Sequence, residues 1–125
     1  MSKNRETQHP ESRRKHDCAI RSISIATGRT YQVVFGEIGH LLNSDGMPGS
    51  AFFNHLDQSG WKFHPSHRLP ARGRLIVICD GGATVPRRRH AVAVINGTFY
   101  DTAPPAHGAC VHGYFAKKER PDNRT

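Results

Sequence analysis

Asn96-Gly97, set between His90-Ala-Val-Ala-Val-Ile95 and Thr98-Phe-Tyr-Asp-Thr102, restricts this chain more than any other feature of it. Asn followed by Gly tolerates positive φ at both central positions of a type I′ turn, whose twist matches that of two paired strands. The flanking residues then take a single antiparallel register, with Ile95 opposite Thr98, Val94 opposite Phe99, Ala93 opposite Tyr100 and Val92 opposite Asp101. An antiparallel sheet is therefore expected in the C-terminal half. Trp61-Lys-Phe-His64 alternates as a short strand does, and Arg74-Leu-Ile-Val-Ile-Cys79 is a compact apolar run suited to a buried strand. Residues Ala109–Phe115 add an edge strand.

The N-terminal half follows a helical period instead. Asp17 is a good N-cap and Gly28 a good C′ residue, so the spacing predicts a helix between them with Ala19, Ile20, Ile23 and Ala26 on one stripe and Ile25 widening it. Thr30 caps a second helix from Tyr31 to about Leu42, with Tyr31, Val34, Ile38 and Leu41/Leu42 in phase, although Gly36 and Gly39 oppose it. Asn43–Gly49 is a loop by composition. Ser50 caps a third helix through about Gln58 that buries Phe52, Phe53 and Leu56, and Ser59-Gly60 stops it. Tyr31, Phe52, Phe53 and Trp61 fall at core phases and are read as packing. Helices first and strands afterwards indicate an α+β domain, its N-terminal helices packed on one antiparallel β-sheet. Residues 1–15 read as a mobile basic arm, 16–118 as the single domain and 119–125 as a disordered tail.

Charge and cysteine usage narrow the function classes. The 125 residues carry 18 Lys and Arg against 10 Asp and Glu, a formal charge of +8. Between positions 68 and 90 stand Arg68, Arg72, Arg74, Arg87, Arg88 and Arg89 with only Asp80 against them. Such a row suits phosphates or an acidic protein surface, and serves equally as a solvated loop. Nucleic-acid binding lacks aromatic interleaving, a recognition helix or an RNA-binding signature to support it. No stretch reaches the ~18–20 apolar residues of a membrane span, and the N-terminus lacks the apolar core of a secretory signal. Three cysteines without a CxxC pair argue against a disulfide scaffold. His107, Cys110 and His112, with Cys79 or His64 and His67 as further ligands, lack the tight paired spacing of structural zinc. A soluble, cytoplasmic chain without metal, cofactor or membrane association is expected.

Cys18 carries the chemistry. Just inside a helix N-terminus, its sulfur lies near unpaired backbone N–H groups and the positive end of the dipole, which favour thiolate over thiol. The same amides suit the oxyanion formed when a carbonyl is attacked. The charge of Asp17 opposes this unless its carboxylate is turned away. A thiol nucleophile needs a base and a group to orient that base. Strand alternation puts His90, Val92 and Asp101 on one face, with His90 and Asp101 diagonal neighbours within reach of a carboxylate–imidazole hydrogen bond. Each residue also has a plainer reading: Cys18 as a small buried side chain, His90 as a strand-end histidine, Asp101 as a turn residue before Pro104-Pro105.

Asp17-Cys18 opening a helix, then His90-Ala-Val-Ala-Val-Ile-Asn-Gly97 and Tyr100-Asp101-Thr102, resembles the papain-like cysteine peptidase superfamily, in particular its small single-domain members from bacteria and their phages. The resemblance implies a helix-borne nucleophile packed against an antiparallel sheet, with Cys18 as nucleophile, His90 as general base and acid, and Asp101 as orienting residue. Many members carry a Gln shortly before the cysteine to complete the oxyanion hole. Here the stretch reads Ser12-Arg-Arg-Lys-His16-Asp17, which leaves Ser12 and His16 as candidate donors. The function implied is a cysteine hydrolase cleaving an amide or isopeptide bond through a thioester, on a protein or peptide substrate; the charge cluster just before His90 adds the expectation that Arg87, Arg88 and Arg89 rim the cleft and select an acidic one. Deamidase, amidase and transferase chemistry share this machinery. The alternative is a non-catalytic basic protein, phage-encoded and working in the host cytoplasm, that binds a host protein or nucleic acid.

Overall fold

The structure is a computed structural model that describes residues 17–43, 46–80, 89–100 and 111–118. These form three α-helices, α1 (Cys18–Thr27), α2 (Tyr31–Ile38) and α3 (Gly49–Gln58), and five strands, β1 (Trp61–His64), β2 (Arg74–Asp80), β3 (Arg89–Ile95), β4 (Thr98–Tyr100) and β5 (Val111–Lys117). All described strand pairs are antiparallel, in the spatial order β1-β5-β2-β3-β4. The fold is α+β, with the helices packed on the sheet. Among the described residues no helix is long and apolar enough to cross a membrane.

The β3–β4 hairpin has the register that Asn96-Gly97 requires: Ile95 faces Thr98, Val94 faces Phe99 and Ala93 faces Tyr100. Asn96 has φ 49° and Gly97 φ 84°, both in the left-handed region that a type I′ turn demands. The turn is also tied to the chain before β2. Asn96 donates its N–H to the Gly73 carbonyl at 2.9 Å, and its Oδ1 accepts from the Gly73 N–H at 2.8 Å.

Both faces of the sheet are buried, which accounts for the continuous apolar runs in β2 and β3. On the helix side, Ile76, Ile78, Ala91, Ala93 and Phe115 meet Ile20 and Ile23 of α1, Val34 and Ile38 of α2, and Phe52 and Leu56 of α3. On the other side Leu75, Val77, Cys79, Val92 and Val94 form a second, smaller cluster, against which Leu69, Val111, Tyr114 and Ala116 pack. α1 is more enclosed than its apolar stripe predicts, since Ala19 through Ala26 are all buried. Its hydroxyls are satisfied by backbone: Ser22 Oγ donates to Ala19 O at 3.0 Å and Thr27 Oγ1 to Ile23 O at 2.7 Å within the helix, while Ser24 Oγ donates to the Arg29 carbonyl beyond its end. Gly28, at φ 79°, ends the helix as expected.

Three local expectations change. α2 starts on the Thr30 cap, whose Oγ1 accepts from Val33 N–H at 3.2 Å, but it tightens into a 3₁₀ turn over Gly39–Leu41. The Phe35 ring lies where a side chain at 39 would stand, so glycine is what lets the ring pack there. α3 begins at Gly49, not after Ser50: Pro48, with φ fixed near that of a helix entry at −55° and ψ 139°, takes the N-cap position, and its carbonyl accepts from Phe52 N–H at 3.0 Å.

The third change concerns β5, which is an interior strand between β1 and β2 and not an edge. Its register with β2 shifts between Ile78, opposite Gly113, and Cys79, opposite Val111, leaving His112 as the extra residue of a bulge. The interior position depends on Gly113. A Cβ there would stand 2.7 Å from the His64 carbonyl oxygen and run into the Phe63 ring. Gly113→Ala is therefore expected to destabilise the fold by about 1–3 kcal/mol through overpacking, read as a lower urea midpoint at constant m-value. A change of only a few tenths would show that β1 yields to the extra methyl.

Candidate functional site

Cys18 is the first residue of α1 and half-buried. Asp17 occupies the N-cap position, but its side chain makes no capping hydrogen bond, contrary to the sequence expectation. Only its backbone carbonyl serves the helix, accepting from Ile20 and Arg21 N–H at 3.0 Å each. The carboxylate turns inward, where Arg21 Nε donates to Oδ1 at 2.8 Å and Tyr31 Oη donates to Oδ2 at 2.7 Å. Asp17 is fully buried and Arg21 nearly so. Two buried donors that water cannot reach compete better for the carboxylate than the helix amides do. The opposition between a capping carboxylate and a thiolate at position 18 is thereby relieved.

His90 is the second residue of β3 and stands opposite Cys79 of β2. Strict alternation would place it with Val92, which belongs to the cluster on the side away from the helices, whereas Cys18 packs against the helix-side core. The imidazole nevertheless hydrogen-bonds the Cys18 sulfur, and the Ala91 N–H reaches the same sulfur. The pair thus forms at the end of the sheet, where β3 starts and α1 begins.

Burial pushes the Cys18 thiol up, and it is the largest single influence on it. The hydrogen bond with His90, the positive charge of that ring, the Ala91 N–H and the nearby Arg21 guanidinium act together in the opposite direction and win, leaving the thiol below its ordinary value. A thiol lowered in this way and in contact with an imidazole pairs a nucleophile with a proton carrier, the minimum for attack on a carbonyl carbon.

The other sequence candidates divide. Asp101, Ser12, His16, Arg87 and Arg88 lie outside the described residues, as do His107, Cys110, the arm 1–15 and the tail 119–125. Arg89 opens β3, with Asp80 as its register partner. Arg68 and Arg72 are exposed in the segment between β1 and β2, while Arg74 opens β2 and donates to the Ala26 carbonyl near the C-terminus of α1 at 3.2 Å. The arginine row is thus split along β2, whose seven residues extend over ~20 Å, with Arg74 at one end and Arg89 beside the other. Cys79 is buried on the far face, as a small packing residue would be. Among the described residues no three His, Cys, Asp or Glu side chains are grouped so as to hold a metal ion.

Arg21 and Tyr31 are the members of this neighbourhood that the sequence reading missed. Tyr31 was assigned to the core, which is true of its ring but not of its hydroxyl. Asp17 and Arg21 stand four apart, the spacing of a helical ion pair, and that signal was present. Comparison of the chain with family models, with curated proteins and with solved structures finds no match in any of the three.

Proposed function

We propose that the protein is a papain-like thiol hydrolase that cleaves an amide or isopeptide bond in a protein or peptide. The observation that carries the reading is the contact between the Cys18 sulfur and the His90 imidazole, formed between a helix N-terminus and an antiparallel strand. The Cys18 thiolate attacks the carbonyl carbon, and the oxygen takes up the displaced electron pair beside the first-turn amides of α1. His90 gives its proton to the departing amine nitrogen as the C–N bond breaks, which leaves a thioester on Cys18. Water, deprotonated by His90, then attacks the thioester carbon; the carboxylic acid leaves and the thiol is regenerated. Asp101 would orient the imidazole, and Ser12 or His16 would add a donor to the oxyanion. A chain of charge +8 favours acidic substrates, and Arg87, Arg88 and Arg89 are the residues proposed to meet them.

The test uses p-nitrophenyl acetate as acyl donor. Nitrophenolate leaves as the acetyl group passes to sulfur, and water later releases acetate, so no further reactant is needed. The expected result is an acetyl mass gain localised to Cys18, followed by turnover, with Cys18→Ala and His90→Ala both folded and both without turnover. Acetylation spread over lysines, or turnover indifferent to either substitution, would sink the reading.

A further inference from the structure

We propose that Asp17, Arg21 and Tyr31 position the thiol site: Tyr31 and Arg21 hold both oxygens of the Asp17 carboxylate off the first turn of α1, which keeps that helix end positive beside Cys18 and keeps the guanidinium next to it. The inference deepens the thiol-hydrolase reading and rests on it.

Asp17 and Arg21 are both withdrawn from water, with side chains 0 % and 9 % exposed, and removing an ion pair from water consumes much of what the pairing gains. Ser, Thr or Asn would cap the same helix without a buried charge. An aspartate cap ordinarily turns its oxygen to the amide of the second or third helical residue, here Ala19 or Ile20, which would bring a full negative charge within a residue or two of the sulfur. Neither oxygen does so. Oδ1 is held by Arg21 Nε at 2.8 Å from within α1, and Oδ2 by Tyr31 Oη at 2.7 Å from α2.

The second hydrogen bond matters because it comes from another element. Tyr31 is the first residue of α2, fixed by its own burial and by stacking on Phe35 with ring centroids 6.2 Å apart, so the hydroxyl is a rigid stop for the carboxylate. Among the described residues, the charged and titratable groups facing the sulfur are Arg21 from α1 and His90 from β3, with Asp17 next to it in the chain at the N-cap and Tyr31 of α2 acting through Asp17. β2 brings Arg74 to the opposite end of α1, at Ala26. Of these, Asp17 is the group whose negative charge would oppose a thiolate if it capped the helix, and it is held from two directions, by Arg21 and by Tyr31.

Alkylation of the full chain by iodoacetamide over a range of pH, with mass spectrometry resolving Cys18, tests the scheme. Tyr31→Phe keeps the ring and its stacking and removes only the donor. Oδ2 then turns to the helix amides, the apparent pKa of Cys18 rises, and alkylation at pH 6 slows about three- to tenfold, a factor of ten being one pKa unit. In Tyr31→Phe/Asp17→Asn the residue that turns to the amides is neutral, so the profile returns to that of the parent chain. This rescue is what packing alone would not produce. A Tyr31→Phe profile identical to the parent, or a double variant that stays slow, overturns the positioning role. If Cys18 of the parent chain itself titrates as an ordinary thiol, it is the hydrolase reading that fails.

Discussion

His90→Ala moves the alkylation profile of Cys18 from below the ordinary thiol range to above it. The sign follows from the balance of influences on the sulfur. Burial is the largest of them and works against the thiolate; the next two, the hydrogen bond and the positive charge, both belong to His90. Removing the ring deletes both at once and leaves the Ala91 N–H and Arg21 against burial. The thiolate fraction near pH 7 then falls, and alkylation there slows with it. The loss in rate is somewhat smaller than the loss in thiolate, because a more basic thiolate is intrinsically more nucleophilic, with a Brønsted slope of ~0.4–0.5. Alkylation by iodoacetamide from acid to alkaline pH, read by mass spectrometry residue by residue, gives the profile directly. Cys79, buried on the far face of the sheet, serves as an internal check that the chain remains folded, since its alkylation reports opening of the sheet. Superimposable profiles for the parent chain and His90→Ala would mean that the imidazole does not govern the thiol, and the proposed hydrolase would lose its base.

What could be read from the sequence and what could not separate along physical lines. The hairpin was legible because Asn96-Gly97 confines both backbone and register within a few residues. α1 was legible at both ends, where Asp17 and Gly28 mark the termini, and with it the placement of Cys18 at the first helical position. The central position of β5 was not legible, because Gly113 is explained only by what crosses it, the Phe63 ring and His64 carbonyl of a strand some fifty residues earlier. The start of α3 turned on whether Pro48 or Ser50 takes the cap, and both are acceptable there on local grounds. At the site itself, the roles of Cys18 and His90 were anticipated, but not that the imidazole would reach the sulfur from a strand whose alternation sets it with Val92, in the cluster on the side away from the helices. Local pattern distinguishes the two sides of a strand and does not say which side a helix will cover. The inward turn of Asp17 depends on Tyr31, fourteen residues away, and no spacing rule joins those two positions.

Arg21→Met has the largest expected effect on stability. Arg21 fills a nearly closed space in the first half of α1, and methionine matches much of its length and apolar volume, so the substitution chiefly removes the cation. The Asp17 carboxylate then remains in an environment that excludes water, without the charge that compensates it. Breaking a buried ion pair from one side costs about 3–5 kcal/mol, where deleting an exposed pair costs about 0–1 kcal/mol. The double variant Asp17→Asn/Arg21→Met removes both charges and leaves an amide for the Tyr31 hydroxyl, so it regains most of the loss although it carries one more substitution. Urea unfolding of the three chains at one pH, with equal m-values required for the comparison, measures both quantities. This ordering, single variant least stable and double variant recovering, is specific to an uncompensated charge; a packing defect at position 21 would persist in the double variant. An Arg21→Met chain that loses less than about 1 kcal/mol would place the pair in the class of solvent-screened bridges. The carboxylate would then have no reason to stay turned from the helix, and the rise in the Cys18 profile forecast for Tyr31→Phe should vanish with it.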